Sequence, residues 1–233
     1  MIPWLDRRTP FPPVETALKQ PNGLLAAGAD LSPQRLIAAY RQGIFPWFGE
    51  GEPILWWSPD PRMVLFPAEL KISRSLRKIL NQGGFEVRAD TAFRETMLGC
   101  AAPRPEQKGT WISEEMIAAY CALHQLGVAH SIETWVDGEL VGGLYGVALG
   151  RLFFGESMFS RVSGASKIAL VHLARQLERW GFGMIDCQMK TAHLASLGAR
   201  EIQRSEFARK LQELVNYPDL HGPWRLSRQP NSA

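Results

Sequence analysis

Cysteine is scarce in this chain: Cys100, Cys121 and Cys187 are odd in number and form no CxxC pair. Neither a disulfide framework nor a zinc centre is supported, and reduced thiols are expected. Long apolar runs are missing too. None approaches the ~20 residues a membrane helix needs, and the opening MIPWLDRRTPFPP lacks the apolar h-region of a signal peptide, so the cytoplasm is the expected compartment. His124, His130, His172, His193 and His221 are scattered without HExxH-like spacing, which favours structural histidines over metal ligands. Ser157 follows Glu156 without a GxSxG elbow, so a nucleophilic triad is not indicated. Repeats and low-complexity tracts are absent. A strong charge excess is absent as well: a net charge of +3 is only a weak pointer to a polyanionic partner.

What is present is enough apolar material for a sizeable core. Hydrophobic residues make up 45% and charged residues 21% of 233, the balance of a folded globular chain built as one large domain or two modest ones. The most informative stretch is GRLFFGESMFS, residues 150 to 160, where Glu156 stands among Phe153, Phe154, Met158 and Phe159. A carboxylate removed from water costs several kcal/mol unless it is paired or hydrogen-bonded, so its presence there implies a task. ELVGGLYGVALG (139 to 150) and GMIDCQM (183 to 189) extend the theme with Asp186 and Gln188. Strand alternation is expected to set Asp186 and Gln188 side by side, with Cys187 on the opposite face. The segments then form an apolar pocket edged by acidic and amide groups. The competing reading of Asp186 is a structural salt bridge to an arginine.

Of eight tryptophans, Trp47, Trp56, Trp57 and Trp111 sit in Pro/Gly-rich, loop-like contexts, as core plugs or as platforms for stacking a base. Arg74, Arg77 and Lys78 share one helix, and Arg88, Arg94, Arg104 and Lys108 follow, so a basic face for phosphates competes with an ordinary solvated face.

Residues 1 to 30 read as an irregular lead-in, then a helix begins at Ser32 and Pro33. IFPWFGEGEPILWWSPDPR reads as a structured loop that cannot make a regular helix or central strand. A short strand in MVLFPAEL, a helix over Ser73 to Leu80, a strand FEVRA, a helix capped by Asp90 and another capped by Ser113 follow. HSIETWV and ELVGGLYGVAL form a hairpin through Asp137 and Gly138, GRLFFGESMF adds a third antiparallel strand, and a helix over Ala165 to Trp180 leads into MIDCQM. Ser205 caps a last helix, and Pro218 onward is a loose tail with Trp224. The order implies an α+β fold. Its second half resembles the GNAT acyltransferase superfold, in which one strand splays from its neighbour, and Arg161, Gly164 and Ser166 echo that superfold's phosphate loop.

GIFPWF (43 to 48), WWSPDPR (56 to 62), GTWI (109 to 112), GVAHSIE (127 to 133), VGGLYGVALG, FFGESMFSRVSGASK and IDCQMKTAHLASLGA together resemble the leucyl/phenylalanyl-tRNA–protein transferase family, across nearly the whole chain. The resemblance implies a small N-terminal domain, residues 1–60, followed by a GNAT-like acyltransferase domain, residues 61–233, with a mostly antiparallel sheet. It implies transfer of Leu or Phe, less readily Met, from aminoacyl-tRNA to the N-terminal Arg or Lys of acceptor proteins, marking them for N-degron proteolysis. No metal or diffusible cofactor is implied. Asp186, hydrogen-bonded to Gln188, is then expected to orient the acceptor amine and receive its proton, with Glu156 at the junction of acyl pocket and acceptor site. Leu144, Phe153, Met158, Leu170 and Ile185 are expected to form the acyl pocket, and Trp47 and Trp111 to contact the terminal adenosine. Thr191 stands where the family often has Asn. The rival readings are an acetyl-CoA-dependent N-acetyltransferase, for which the FPWF and WWSPDP loops have no use, and a non-catalytic tRNA-binding module, which leaves Glu156 and Asp186 unexplained.

Overall fold

The structure, a computed structural model, describes residues 1–103 and 110–226. Arg104, Lys108 and Gly109 of the basic and GTWI stretches lie outside the described residues. The first unit is a small sheet. Strand β1 (Trp4–Leu5) pairs in parallel with β2 (Leu24–Gly28); helix α1 (Pro33–Tyr40) follows, then β3 (Phe45–Pro46) and β4 (Leu55–Trp57), in the order β1-β2-β4-β3. Residues 1 to 30 are therefore not merely irregular, and the aromatic stretch does contain a central strand, since β4 is hydrogen-bonded on both sides. The prolines permit this because Pro46 sits in edge strand β3, where its missing N–H is not needed. Trp56 is a core plug on β4: it is fully buried, and its indole N–H donates to the Gly28 carbonyl at 2.9 Å.

The second unit runs through β5 (Arg62–Leu65), α2 (Arg74–Gln82), β6 (Glu86–Ala89), α3 (Phe93–Ala101), α4 (Glu114–Gln125), β7 (Ala129–Val136), β8 (Glu139–Leu149), β9 (Leu152–Ser160), α5 (Ala165–Arg179), β10 (Met184–Gln188), α6 (Ala192–Ser196), β11 (Arg200–Ile202) and α7 (Arg204–Leu214). Its seven strands form one sheet in the order β11-β5-β10-β9-β8-β7-β6. Among the described residues every pairing in it is antiparallel except β9 with β10. The β7–β8 hairpin turns through Asp137 and Gly138, both at positive φ, the conformation such tight turns require. Gly150, at φ +57, makes the next turn where a Cβ would strike the Leu214 carbonyl. The α+β class and the mostly antiparallel large sheet are as the sequence indicates.

The two faces of this sheet carry different layers. One packs on α5, whose Leu170, Leu173 and Leu177 are buried at helical spacing; each such side chain contributes about 1.5–3 kcal/mol. The other face meets α1, α3, α4 and the small sheet in one continuous apolar cluster that joins Trp56 and Tyr40 to Tyr120, Tyr145 and Phe154.

Three further expectations are corrected. Asp90 does not cap α3, whose N-cap position is Ala92. Held at φ +57, it instead accepts from His130 Nδ1 at 2.8 Å and from the backbone N–H groups of Ser131 and Trp224. The segment after Pro218 is not loose around Trp224, which is 5% exposed and stacks on His130 with ring centroids 3.8 Å apart; the buried Asp90 and His130 supply the polar anchor. Ser205 lies inside α7, with Gln203 at its N-cap.

Candidate active site

The site forms where the parallel pair of the large sheet parts. β9 and β10 stay in register at Leu152 with Met184, Phe153 with Ile185 and Phe154 with Asp186. Beyond that point both strands carry an extra residue. Against β8, Ser157 pairs with Tyr145 and Gly155 with Gly146, which leaves Glu156 over; against β5, Gln188 pairs with Met63 and Asp186 with Val64, which leaves Cys187 over. Such bulges bend a strand and re-aim its side chains. Here they open a cavity of about 790 Å³ between the strands, of the splayed kind expected of a GNAT-like sheet.

Leu144, Phe153, Met158, Leu170 and Ile185 line the cavity, and so do Trp47 and Trp111, Glu156 and Gln188. The structure thus brings together nine of the ten residues singled out as catalytic or substrate-binding. Trp47 is 37% exposed, and its carbonyl accepts from the Trp57 indole at 2.6 Å, which ties it to the small sheet. Thr191 also lines the cavity, while its hydroxyl caps α6 by accepting from the Leu194 N–H.

Asp186 is the exception. Its side chain has no exposure, does not line the cavity, and forms a bidentate pair with Arg62, Nε to Oδ1 at 2.8 Å and Nη2 to Oδ2 at 2.7 Å. Gln188 meets it through the backbone N–H, which donates to Oδ1 at 2.9 Å. Strand alternation therefore fails at this point: with Cys187 as an extra residue and Gln188 at φ +62, the Gln188 side chain lines the cavity with Ile185 and Cys187, and Asp186 stays turned to Arg62. The carboxylate so placed has no surface open to the cavity.

Glu156 does line the cavity. It is half-buried, and its Oε1 accepts from Gln188 Nε2 at 2.7 Å while Oε2 accepts from the Tyr120 hydroxyl at 3.1 Å. The Tyr120 hydroxyl in turn bonds that of Tyr40. Burial pushes the Glu156 carboxyl up to about 7; the tyrosine hydroxyls and Gln188 oppose the shift by stabilising the anion, and the Asp186 charge adds to it. A carboxyl group that titrates near neutrality in a mainly apolar cavity is suited to proton transfer at working pH. The Cys187 thiol is pushed far up by burial, with the Asp186 charge adding to it, and offers no thiolate. Among the described residues there is no group of three or more His, Cys, Asp or Glu that could hold a metal ion.

The family model of leucyl/phenylalanyl-tRNA protein transferases matches residues 64–212, and the model of that family's N-terminal domain matches residues 29–60. The chain belongs to the leucyl/phenylalanyl-tRNA–protein transferase family. It is accordingly an aminoacyltransferase. The leucyl/phenylalanyl-tRNA–protein transferase of Nitrosospira multiformis is 71% identical over 96% of this chain and 97% of its own, and that of Nitrosomonas europaea is 70% identical over 96% and 95%. A GCN5-related N-acetyltransferase from Kribbella flavida superposes with a TM-score of 0.37 and 12% identity over 72% of this chain and 60% of its own.

Three residues around this candidate site escape a reading of the sequence, although a salt bridge from Asp186 to an arginine was one of its two readings and is what the structure shows. Arg62 closes the WWSPDPR motif, and the signal for it was Asp186 itself, since a carboxylate in an apolar strand calls for a buried cation. Tyr120 and Tyr40 look like apolar helix positions, yet a buried phenol needs a hydrogen-bond partner, and each is a candidate neighbour for a buried carboxylate.

Proposed function

We propose that this transferase moves Leu or Phe, less readily Met, from aminoacyl-tRNA to the N-terminal Arg or Lys of acceptor proteins in the cytoplasm, marking them for N-degron proteolysis. The observation that carries the reading is Glu156, held near neutral pKa on the lining of an apolar cavity. The ester of aminoacyl-tRNA is already activated, so the enzyme has chiefly to align an uncharged α-amine with the ester carbonyl. The amine nitrogen forms a bond to that carbonyl carbon, the bond from carbon to the ribose oxygen breaks, and one proton moves from nitrogen to the departing oxygen. Glu156 accepts this proton and passes it on, Gln188 fixes the carboxylate by their 2.7 Å contact, and Asp186 orients Gln188 from behind.

The apolar wall of Leu144, Phe153, Met158, Leu170 and Ile185 takes the Leu or Phe side chain, which is unbranched at Cβ. Trp47 and Trp111 stack on the terminal adenosine at the rim, supported by their places on the cavity lining. Arg74, Arg77 and Lys78, all exposed on α2, meet tRNA phosphates. Residues 1–60 act as the N-terminal domain and 61–233 as the catalytic one, a division supported by the small sheet ending at Trp57 and the large one beginning at Arg62.

The test is to mix the purified protein with labelled Phe-tRNA and a peptide that begins with Arg. Label is expected on the peptide's α-amine, and not on a peptide beginning with a neutral residue. Acetylation of the peptide from acetyl-CoA without Phe transfer would overturn the proposal in favour of an N-acetyltransferase.

A further inference from the structure

Arg62 and Asp186, with 1% and 0% of their side chains exposed, form a fork-to-fork ion pair between positions 124 residues apart. The Arg62 guanidinium lies over the Phe45 ring at 4.8 Å and the Phe207 ring at 4.7 Å. Planarity and two parallel donors make this arrangement specific to arginine; lysine has neither. Stability does not explain the pair, because a buried ion pair is on balance no better than apolar residues of equal volume. What it touches does. Asp186 Oδ1 also accepts the Gln188 N–H at 2.9 Å, and Gln188 is held at φ +62, a left-handed conformation that costs a non-glycine residue about 1–2 kcal/mol. That turned backbone, following the extra residue Cys187, is what brings Gln188 Nε2 to Glu156. In an unbulged strand the same side chain would lie on the Asp186 side of the sheet.

We propose that Arg62 is a positioning residue for aminoacyl transfer: through Asp186 it clamps Gln188 in its turned conformation, and so fixes where Gln188 and Glu156 meet the acceptor amine. The proposal rests on the roles given above to Gln188 and Glu156. Asp186 is then required for its geometry and not as a proton acceptor, and a neutral pair of similar shape can replace the charged one in part.

The experiment compares wild type with Arg62→Lys, Asp186→Asn and the double variant Arg62→Gln/Asp186→Asn. Folding is checked by circular dichroism and Tm, and single-turnover Phe transfer to an Arg-initiated peptide is measured at limiting and saturating Phe-tRNA. Folded Arg62→Lys is expected to lose ~10²-fold in the saturated rate, the scale of a 1 Å misplacement, with the half-saturating Phe-tRNA concentration unchanged. The double variant leaves no charge unpaired, and it is expected to be about tenfold faster than Asp186→Asn, a coupling within the range of contacting pairs. A folded Arg62→Lys at the wild-type rate overturns the clamp. So does a double variant no faster than Asp186→Asn, because the Asp186 charge would then act in its own right. If Arg62→Lys does not fold, the comparison of the double variant with Asp186→Asn decides alone. Wild type inactive with Phe-tRNA would instead overturn the proposed function, a result distinct from either.

Discussion

Gln188 Nε2 donates to Glu156 Oε1 at 2.7 Å across the gap where β9 and β10 separate, so the extra residue of β9 and the residue that follows the extra residue of β10 form one polar unit on the lining of an apolar cavity. The contact stabilises the charged form of Glu156, while burial disfavours it more strongly and sets its titration near 7.

In the proposed role of proton acceptor, Glu156 must be ionised. The transfer rate per uncharged acceptor amine is therefore expected to fall below pH 7, approaching tenfold per unit, and to level off above it. Glu156→Gln should retain the fold, lose ~10²–10⁴ in rate and lose the acidic limb as well. Rates measured from pH 5.5 to 8.5 and divided by the uncharged fraction of the acceptor amine would expose an error: a variant that keeps the limb assigns the titration to another group.

Stability should respond to pH with the opposite sign. The Glu156 carboxyl titrates at about 7 in the folded chain against 4.5 as its ordinary value. The folded state thus binds the proton more tightly, and the resulting stabilisation is complete below about 4.5 and is lost as pH rises through 7. Relative to wild type, Glu156→Gln should gain stability between pH 5 and pH 8, by ~3 kcal/mol at most. Urea unfolding of both proteins at the two pH values checks this. A gap that does not widen would mean the carboxyl is not held near neutrality. The loss of activity with gain in stability is the trade-off expected of a strained functional group.

The hairpin, the long helix α5 and the apolar cavity wall were readable because each rests on local signals: the Asp137-Gly138 turn, Gly150, and apolar spacing. The polar half of the site was legible in its residue types but not in its geometry. A period of two puts Asp186 beside Gln188, whereas the extra residue Cys187 reverses that, and a bulge in a β-strand leaves no obvious mark in composition. Glu156 was conspicuous as a charge among aromatics. Its partners Tyr40 and Tyr120 come from α1 and α4, and Arg62 from β5, so only tertiary packing names them. The small sheet was hidden because its strands are two to five residues long and broken by proline.

At the rim, Trp111→Ala should weaken the donor and not the acceptor. A lost base stack is worth ~1–3 kcal/mol, or about 5- to 150-fold in the Michaelis constant for aminoacyl-tRNA. Selectivity for an N-terminal Arg over a neutral residue should stay as in wild type. Binding of Phe-tRNA should also weaken linearly in log salt, with a shallower slope when Arg77 and Lys78 are replaced by Ala. Should Trp111→Ala change the choice of acceptor and leave donor binding intact, the roles given to the two ends of the cavity are reversed.

The apolar wall makes a prediction about the amino acid carried. Leu170 of α5 lines the cavity together with the strand residues Phe153 and Ile185, so its truncation enlarges the space without touching Glu156 or Gln188. Leu170→Ala removes buried contacts, and a cost of about 2–5 kcal/mol in stability is expected. The larger space should favour the bulkier donor: a missing contact in an apolar pocket changes discrimination by ~1–3 kcal/mol, so the ratio of Phe to Leu transfer should rise by about tenfold or more. Competition between Phe-tRNA and Leu-tRNA for one limiting Arg-initiated peptide gives that ratio directly, and it is independent of the fraction of enzyme that is folded. An unchanged ratio would place the side-chain pocket elsewhere, because a wall that senses the donor cannot lose most of a leucine without altering which donor it prefers.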